Sequence, residues 1–528
     1  MREFSFTLAK ELAAGLRRSY RNTRNAPGLT TLFNAEVGES GLVQLEGITN
    51  PFSVGTLGGQ GIEVNWPFPR LFRGNTVTLL ADETRLFEVD ESDWSLAELT
   101  AYGYGAVGTA LSIPTGGSWQ MLDAHDTWML MNGSCVIFKS GLGGVSGRSE
   151  EIYINTDVHI ETGCLYKGRG MLAGFDPEKF WSKDWLAFWD EHSTDSYNLG
   201  ISRDMPFKEN FVWWSTIGGG DLFWMFYPEL YMRGVTGHPD GHTPCDPYIF
   251  DLLQRNECGF APMTYRGRVR VLLPLGEGVI AYGDGGLTYL QAVSEPVPTM
   301  ARLHMSNIGV ASGVAAAGDL NQHIYVDGSG CVWHIDANRN ITRLGYEEYI
   351  QPMLSDDILV AYSPEKERFT ISGSDLTFML TKYGMSQIDQ RVTSIVTADG
   401  TEVGLSTDLG FDNSQLQIVT DTFDMNNRAI KLIRSVEVHL SDTATWYMSV
   451  QYRMNKADAF KQTVWRQINK EGWAVMPCTG TEFRICLYCA DYSVAEPPDN
   501  VVVKWQMSDK RNVRGGYAGA TIAESGVE

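Results

Sequence analysis

Two histidines and a cysteine share one short loop, His238, His242 and Cys245, in the string HPDGHTPC. Imidazole and thiolate at that spacing could chelate zinc, which takes nitrogen and sulfur ligands in a tetrahedron. A fourth ligand is needed, and Cys258 is the nearest candidate. The flanking Pro and Gly residues equally make an ordinary loop. Cys486 and Cys489 form a C-x-x-C. On a strand, residues three apart point to opposite faces, so this pair is expected to share neither a metal nor a disulfide. Gly283-Asp284-Gly285-Gly286 and Asp327-Gly328-Ser329-Gly330 carry the residue types of phosphate or calcium loops. Neither precedes a helix and neither repeats a calcium ligand pattern. Hairpin turns explain both, because Asp and Gly supply the backbone conformations such turns need. The acidic neighbours Asp356-Asp357 and Glu347-Glu348 say nothing about the carboxylate separation that glycoside hydrolysis demands. No G-x-S-x-G occurs, nor the repeated S-x-D-x-G-x-T-W box of sialidase-like propellers. The expectation is a chain with no catalytic set, no cofactor and no resident metal.

The elements around these residues are more telling. Five times the chain writes an apolar strand, a tight turn of Asp, Asn, Gly or Ser, then a second apolar or aromatic strand. The copies are residues 78–89, 129–138, 280–290, 324–335 and 359–372, with turns near Asp82, Asn132, Asp284, Asp327 and Ser363. Neighbouring copies recur at about 40–50 residues, the period of a propeller blade. A lone hairpin cannot hide its apolar faces, whereas sheets arranged radially can. The segment 159–175 reads as a further, less regular strand pair.

The chain has 528 residues, 43% hydrophobic and 11% aromatic, enough to bury sizeable cores. Its formal net charge is −22. A protein that grips DNA phosphates needs a basic footprint, which the chain as a whole lacks. Acidity serves solubility, or it forms a wall along which a duplex slides without sticking. The eight cysteines are scattered, several inside strand patterns, and are expected to be reduced. No run of about 18 apolar residues exists, so no membrane span is expected. The N-terminus lacks the continuous apolar region of a secretory signal. Leu8, Leu12 and Leu16 could line one helical face, with Arg17, Arg18, Arg21 and Arg24 following as a basic cluster. The expectation there is a solvated, partly ordered tail.

The fold class expected is mainly β: an irregular β-propeller of about six blades, with an insertion and a C-terminal antiparallel β domain. Residues 1–40 read as an arm or lead-in, and 41–45 as a strand that could join another blade. Residues 41–390 read as the propeller. Its aromatic-rich insertion spans about 175–265, or is an irregular blade with an elaborated loop. Within it, Phe180, Trp181, Trp185, Phe188 and Trp189 recur at helical spacing, a core stripe or a sugar or partner platform. The strings FVWWST from Phe211 and LFWMFY from Leu222 read as a strand pair. Residues 391–528 alternate apolar and polar side chains, as at Val436, Val438 and Leu440, and read as a sandwich-like domain with a loose tail.

Asn34-Ala35-Glu36-Val37, followed by Gly41, apolar Leu42 and Val43, and then Gly47-Ile48, resembles the opening of the tail hub, or nozzle, proteins of short-tailed bacteriophages. Tyr20, Asn22 and Asn25 precede it, as Tyr and Asn do in that family. Ile308-Gly309-Val310, Ile324 to Gly328, Arg339 to Leu344 and Tyr346 to Ile350 resemble a blade of the same family. The order of parts is similar too, propeller first and β-rich region last. The aromatic-rich insertion departs from the pattern. The resemblance implies a structural virion protein of the phage tail, made in the host cytoplasm and not an enzyme. It implies a homohexameric ring that continues the DNA channel below the portal and adaptor (the head-to-tail connector). Tail fibres or a needle are further partners it implies. Genomic DNA would pass through the lumen without sequence-specific binding. The competing expectations are a propeller glycoside hydrolase or lyase, and a carbohydrate-binding adhesion protein at the host surface.

Overall fold

The repeated phrase folds as a hairpin because its turn residue satisfies the backbone. Asp82 Oδ1 accepts from the amides of Thr84 (2.7 Å) and Arg85. Asn132 Oδ1 accepts from Ser134 (2.9 Å) and Cys135 (3.0 Å), and Asp327 Oδ1 from Ser329 (2.8 Å) and Cys331 (3.0 Å). These side chains mimic a backbone turn and stay buried while doing so. All five phrases pair as antiparallel hairpins in this computed structural model. It describes residues 3–18, 28–45, 48, 69–74, 77–103, 106–124, 127–140, 151–156, 159–176, 209–215, 259–293, 300–355, 358–373, 376–388, 392–398, 401–406, 415–440, 444–489 and 496–508.

Four of the hairpins, and the pair at 162–173, widen into four-stranded sheets whose strands follow chain order. The first is Arg70–Arg73, Thr78–Ala81, Leu86–Asp90 and Ser95–Glu98. The second is Gln120–Ala124, Thr127–Met131, Val136–Ser140 and Glu151–Asn155. The third is Thr162–Tyr166, Arg169–Ala173, Phe211–Trp214 and Gly259–Pro262. The fourth is Val269–Leu275, Gly278–Gly283, Gly286–Ala292 and Met300–Ser306, and the fifth Ala316–Gly318, Gln322–Val326, Val332–Asp336 and Ile341–Gly345. Three hairpins, Thr100–Gly103 with Ala106–Ala110, Leu359–Ser363 with Arg368–Ser372, and Val392–Ala398 with Thr401–Ser406, complete the unit formed by Ile48–Asp375 and Arg391–Leu409.

Neighbouring sheets are joined all the way round. Trp119 Nε1 donates to Asp82 O (2.7 Å), and Thr162 Oγ1 to Gln120 Oε1 (2.6 Å). The Leu272 amide donates to Thr162 Oγ1 (3.0 Å) and the Val310 amide to Gly283 O (3.0 Å). The Val360 amide donates to Val314 O (2.8 Å), and Arg368 Nε to Glu402 Oε1 (2.7 Å). Ser394 Oγ closes the circle on Leu71, accepting from its amide (2.9 Å) and donating to its carbonyl (3.1 Å). Apolar clusters fill the spaces between sheets: Leu79, Trp119, Trp128 and Ile137 between the first two, and Met171, Val212, Leu272 and Leu290 between the third and fourth. The fold is an irregular β-propeller. Instead of six equal blades, the described residues form five four-stranded sheets and three hairpins within this unit.

Several boundaries differ from the sequence expectation. The expected partner of the 211–216 strand lies outside the described residues, with 222–227. Phe211–Trp214 instead pairs Arg169–Ala173 on one edge and Gly259–Pro262 on the other. Val212, Trp213 and Trp214 are buried there, so the sheet recruits them to cover its core. The hairpin 392–406 belongs to the propeller rather than to the C-terminal domain, held by the buried Arg368–Glu402 pair.

The second unit comprises Met1–Gly47, Leu376–Gln390 and Gly410–Glu528. One of its sheets runs Phe4–Thr7, Asn500–Met507, Lys431–His439, Trp473–Gly480. The other contains Thr377–Leu380, Met385–Ile388, Leu29–Phe33, Leu416–Thr420, Glu482–Cys489, Trp446–Arg453 and Lys461–Gln462 in that order. The N-terminus is therefore not a solvated tail over its described part. Leu8, Leu12 and Leu16 are buried around the short helix α1 (Ala9–Ala13). Phe4 stacks on Trp505 and Phe6 on Phe423, and Arg17 pairs with Asp421 at 3.0 Å. The leucine stripe found a sheet to cover, which outweighs the solvation of a flexible arm. Gly41–Gln44 joins no blade; it forms a hairpin with Ala35–Gly38. Arg21, Arg24 and the tail after residue 508 lie outside the described residues. No helix among the described residues is long and apolar enough to cross a membrane.

Candidate functional site

The first strands of successive sheets touch one another and so line the propeller axis. Gln120 begins one of them. Its Nε2 donates to Arg270 O (3.1 Å), on the fourth sheet, and to Gly313 O, at the entry of the fifth. Its Oε1 accepts from Thr162 of the third. One amide therefore bonds to the third and fourth sheets and to the lead-in of the fifth, and its two carbonyl partners lie 150 and 193 residues further along the chain.

Charge gathers beside it. Glu161 Oε1 takes Arg268 Nη1 at 2.6 Å and Arg270 Nη1 at 3.4 Å. Arg270 Nε reaches Asp284 Oδ1 at 2.7 Å, and Asp284 Oδ2 accepts from the Arg268 amide at 3.0 Å. Two cations and two anions thus neutralise one another. A partly open cavity of about 290 Å³ adjoins them, lined among others by Gly117, Ser118, Asn132, Glu161, Arg270 and Ser312. Some of its polar groups are engaged in the fold: Ser312 Oγ donates to Ile358 O (2.9 Å) and Asn132 Nδ2 to Pro114 O (3.3 Å). Asp284 and Glu161 Oε1 are committed to arginine, whereas Glu161 Oε2 is buried without a hydrogen-bond partner. The site can hold water or a small polar molecule, and it ties sheets together.

Away from the axis, the titratable groups that burial perturbs are structural. His323 Nε2 lies 2.9 Å from Pro274 O and must donate to it, so Nδ1 accepts from the Tyr282 hydroxyl at 2.8 Å. Burial pushes this imidazole down to about 4. Lys431, buried with Nζ donating to the carbonyls of Asn427 and Ala429, is pushed down to about 8 by desolvation. Arg70, on the first strand of the first sheet, has a buried Nε without a partner, and desolvation lowers it to about 10.

His238, His242, Cys245, Cys258 and Asp356-Asp357 lie outside the described residues, as does the aromatic stripe from Phe180 to Trp189. Cys486 and Cys489 share the strand Glu482–Cys489, both buried as free thiols, and burial pushes Cys486 up to about 11. Asp284 serves Arg268 and Arg270, and Asp327 serves its own turn and Trp333 Nε1 (2.8 Å). Glu347 pairs with Arg343 on the strand before it. Among the described residues no three His, Cys, Asp or Glu side chains are arranged to hold a metal ion. Gln120, Glu161 and Arg270 carry no local motif, so nothing in the sequence marked them; only their convergence does.

No family model and no curated protein matches this chain. Solved structures match it at low identity. A surface component of the type-IX secretion system of Porphyromonas gingivalis, PorZ, aligns at 8% identity and a TM-score of 0.32, over 70% of this chain and 36% of that one. The WD40 domain of Pan2 from Neurospora crassa aligns at 6% and 0.34, over 67% and 86%. The extracellular domain of a putative one-component system from B. thetaiotaomicron aligns at 7% and 0.35, over 93% and 64%. The chain thus spans about a third of the first of these proteins and just under two thirds of the last.

Proposed function

We propose that this chain is a structural subunit of a phage tail, a nozzle or hub whose copies form a ring that continues the DNA channel. The observation that carries this reading is how the first strands are tied together. The Gln120 side chain bonds to the third and fourth sheets and to the lead-in of the fifth, as a wall component would, and a passage for a duplex would then be bounded by several copies. The residues of the family resemblance also do architectural work. Asn34 adopts φ 61° while fully buried, its amide donating to Gln387 O (2.9 Å) and its Nδ2 to Gln415 O (2.8 Å). Gly309 lies so close to the fourth sheet that a Cβ would sit 2.2 Å from Asp284 O. The net charge of −22 suits a surface along which DNA slides.

The hexamer, the adaptor contact, the fibre or needle contact and the virion address belong to this proposal. Mass photometry and negative-stain imaging of the purified full chain test it. A closed ring with a central opening wide enough for a duplex is expected. A monomer at every concentration, or cleavage of a host-surface polysaccharide, overturns it in favour of an enzyme or adhesin.

A further inference from the structure

The cavity beside Gln120 has walls from four sheets. Ser118 and Gln120 come from the second sheet and its lead-in, and Glu161 from the lead-in of the third. Arg270 comes from the fourth, and Gly313 from the lead-in of the fifth. Two polar groups on these walls are unmet. Glu161 Oε2 is buried without a hydrogen-bond partner, although its twin Oε1 holds two arginines. A buried acceptor left so is costly, and it calls for a donor. The half-buried Ser118 hydroxyl, a donor and an acceptor at once, bonds no described residue.

The walls also lack bulk where the fold would tolerate it. A Cβ at Gly117 would come no closer than 3.6 Å to Asn132 O, and one at Gly313 no closer than 3.8 Å to Arg270 O and Gln120 Nε2. These are ordinary contacts, and neither glycine has a positive φ. Gly116 differs, since a Cβ there would lie 2.6 Å from Asn132. Packing therefore requires glycine at 116, while the effect of glycine at 117 and 313 is to keep the cavity open.

Charge selects the class of ligand. Glu161 and Asp284 balance Arg268 and Arg270. An entering anion would meet the Glu161 carboxylate and a cation the Arg270 guanidinium, each giving up water for a like charge. A neutral molecule whose groups both donate and accept meets neither objection. The polar groups stand on several walls rather than one, so those of the ligand have to surround it. The volume of about 290 Å³ lies at the low end of the range for ligand pockets, about 300–1,000 Å³, which suits one ring rather than a chain of them.

We infer that this cavity binds a single neutral sugar ring, whose hydroxyls donate to Glu161 Oε2 and exchange hydrogen bonds with Ser118. The inference is independent of the ring-assembly reading and holds for a monomer or an assembly alike.

Saturation-transfer NMR on the purified full chain tests it, with glucose, galactose and N-acetylglucosamine as neutral probes and acetate and tetramethylammonium as charged ones, each at millimolar concentration. Transfer to at least one sugar and to neither ion is expected. Gly313→Val fills the space and Ser118→Ala removes a hydroxyl. Both are expected to keep the wild-type circular dichroism and to weaken the sugar about tenfold or more in titration. Should Gly313→Val disturb folding, Gly117→Ala narrows the same cavity by one methyl group. No transfer to any of the sugars would overturn the inference, as would binding that the variants leave unchanged. Transfer to an ion in place of the sugars would overturn it too, by showing that the site takes a charge. None of these failures touches the assembly, which is imaged separately.

Discussion

At the scale of single residues, the most consequential side chains are a buried ion pair and a buried imidazole. Arg368 and Glu402 are each 1% exposed and form a two-pronged pair. Removing one partner strands the other in a dry interior, which costs about 3–5 kcal/mol, whereas replacing both by apolar residues is close to neutral. Glu402→Ala is therefore expected to lower the urea midpoint sharply, and Arg368→Met with Glu402→Leu to restore most of it. Equal losses in the single and double variants would refute the pairing. His323 makes a pH prediction. Its folded pKa of about 4 lies below the ordinary value of about 6.5. Between those values the unfolded chain takes a proton that the folded chain refuses, so stability falls with pH across that window and this contribution levels off below it. The full loss is about 3 kcal/mol. His323→Gln removes the titration; its melting temperature is expected to change less than the wild type's between pH 7 and pH 4.5. Parallel curves would show that the imidazole is not held neutral.

At the scale of elements, the hairpin turns decide how sheets are built. Gly330 in the fifth sheet has φ +80°, a conformation that costs an L-residue about 1–2 kcal/mol. Gly328, two residues earlier, has no such φ, and a methyl group added there would meet only open space. Gly330→Ala is expected to destabilise by at least that amount, since its Cβ would also lie 2.9 Å from the Gln351 backbone nitrogen, and Gly328→Ala by less than about 0.5 kcal/mol, read from thermal or urea unfolding. The same comparison sorts the two glycine-rich strings: a phosphate or calcium loop would respond to ligand, a turn only to backbone strain. Gln120 tests the joints between sheets. Gln120→Leu keeps the bulk but removes three hydrogen bonds and leaves carbonyl and hydroxyl partners unmet. A loss of about 2–4 kcal/mol is expected from unmet groups at about 1–3 kcal/mol each, some of them rescued by water. No measurable loss would mean the axial amide is incidental.

At the scale of the whole molecule, the chain passes between its two units four times, at residues 47, 375, 390 and 409. The C-terminal region is therefore not a separable piece. A fragment of residues 391–528 lacks the strands Phe4–Thr7, Leu29–Phe33 and Met385–Ile388 that fill its sheets, and it carries a hairpin whose buried partner Arg368 is absent. It is expected to express as an aggregate or an unfolded chain, seen by size exclusion and circular dichroism; a soluble, cooperative fragment would contradict the arrangement. The ring reading belongs to this scale too.

The amino-acid sequence alone determined what is local. Alternating apolar residues and Asp, Asn or Gly at turns specify hairpins, since strand periodicity and turn chemistry act within about ten residues. Val436 and Val438, or Phe483, Ile485 and Leu487, point inward as their spacing requires. Tertiary structure decided what depends on contacts between distant segments: the fate of Leu8, Leu12 and Leu16, the capture of 392–406 by the propeller, the use of Phe211–Trp214 as a third strand, and the meeting of Gln120 with Arg270 and Gly313. Each of those is settled by which buried surface or buried charge finds a partner far along the chain, and such pairings leave no periodicity to read in the sequence.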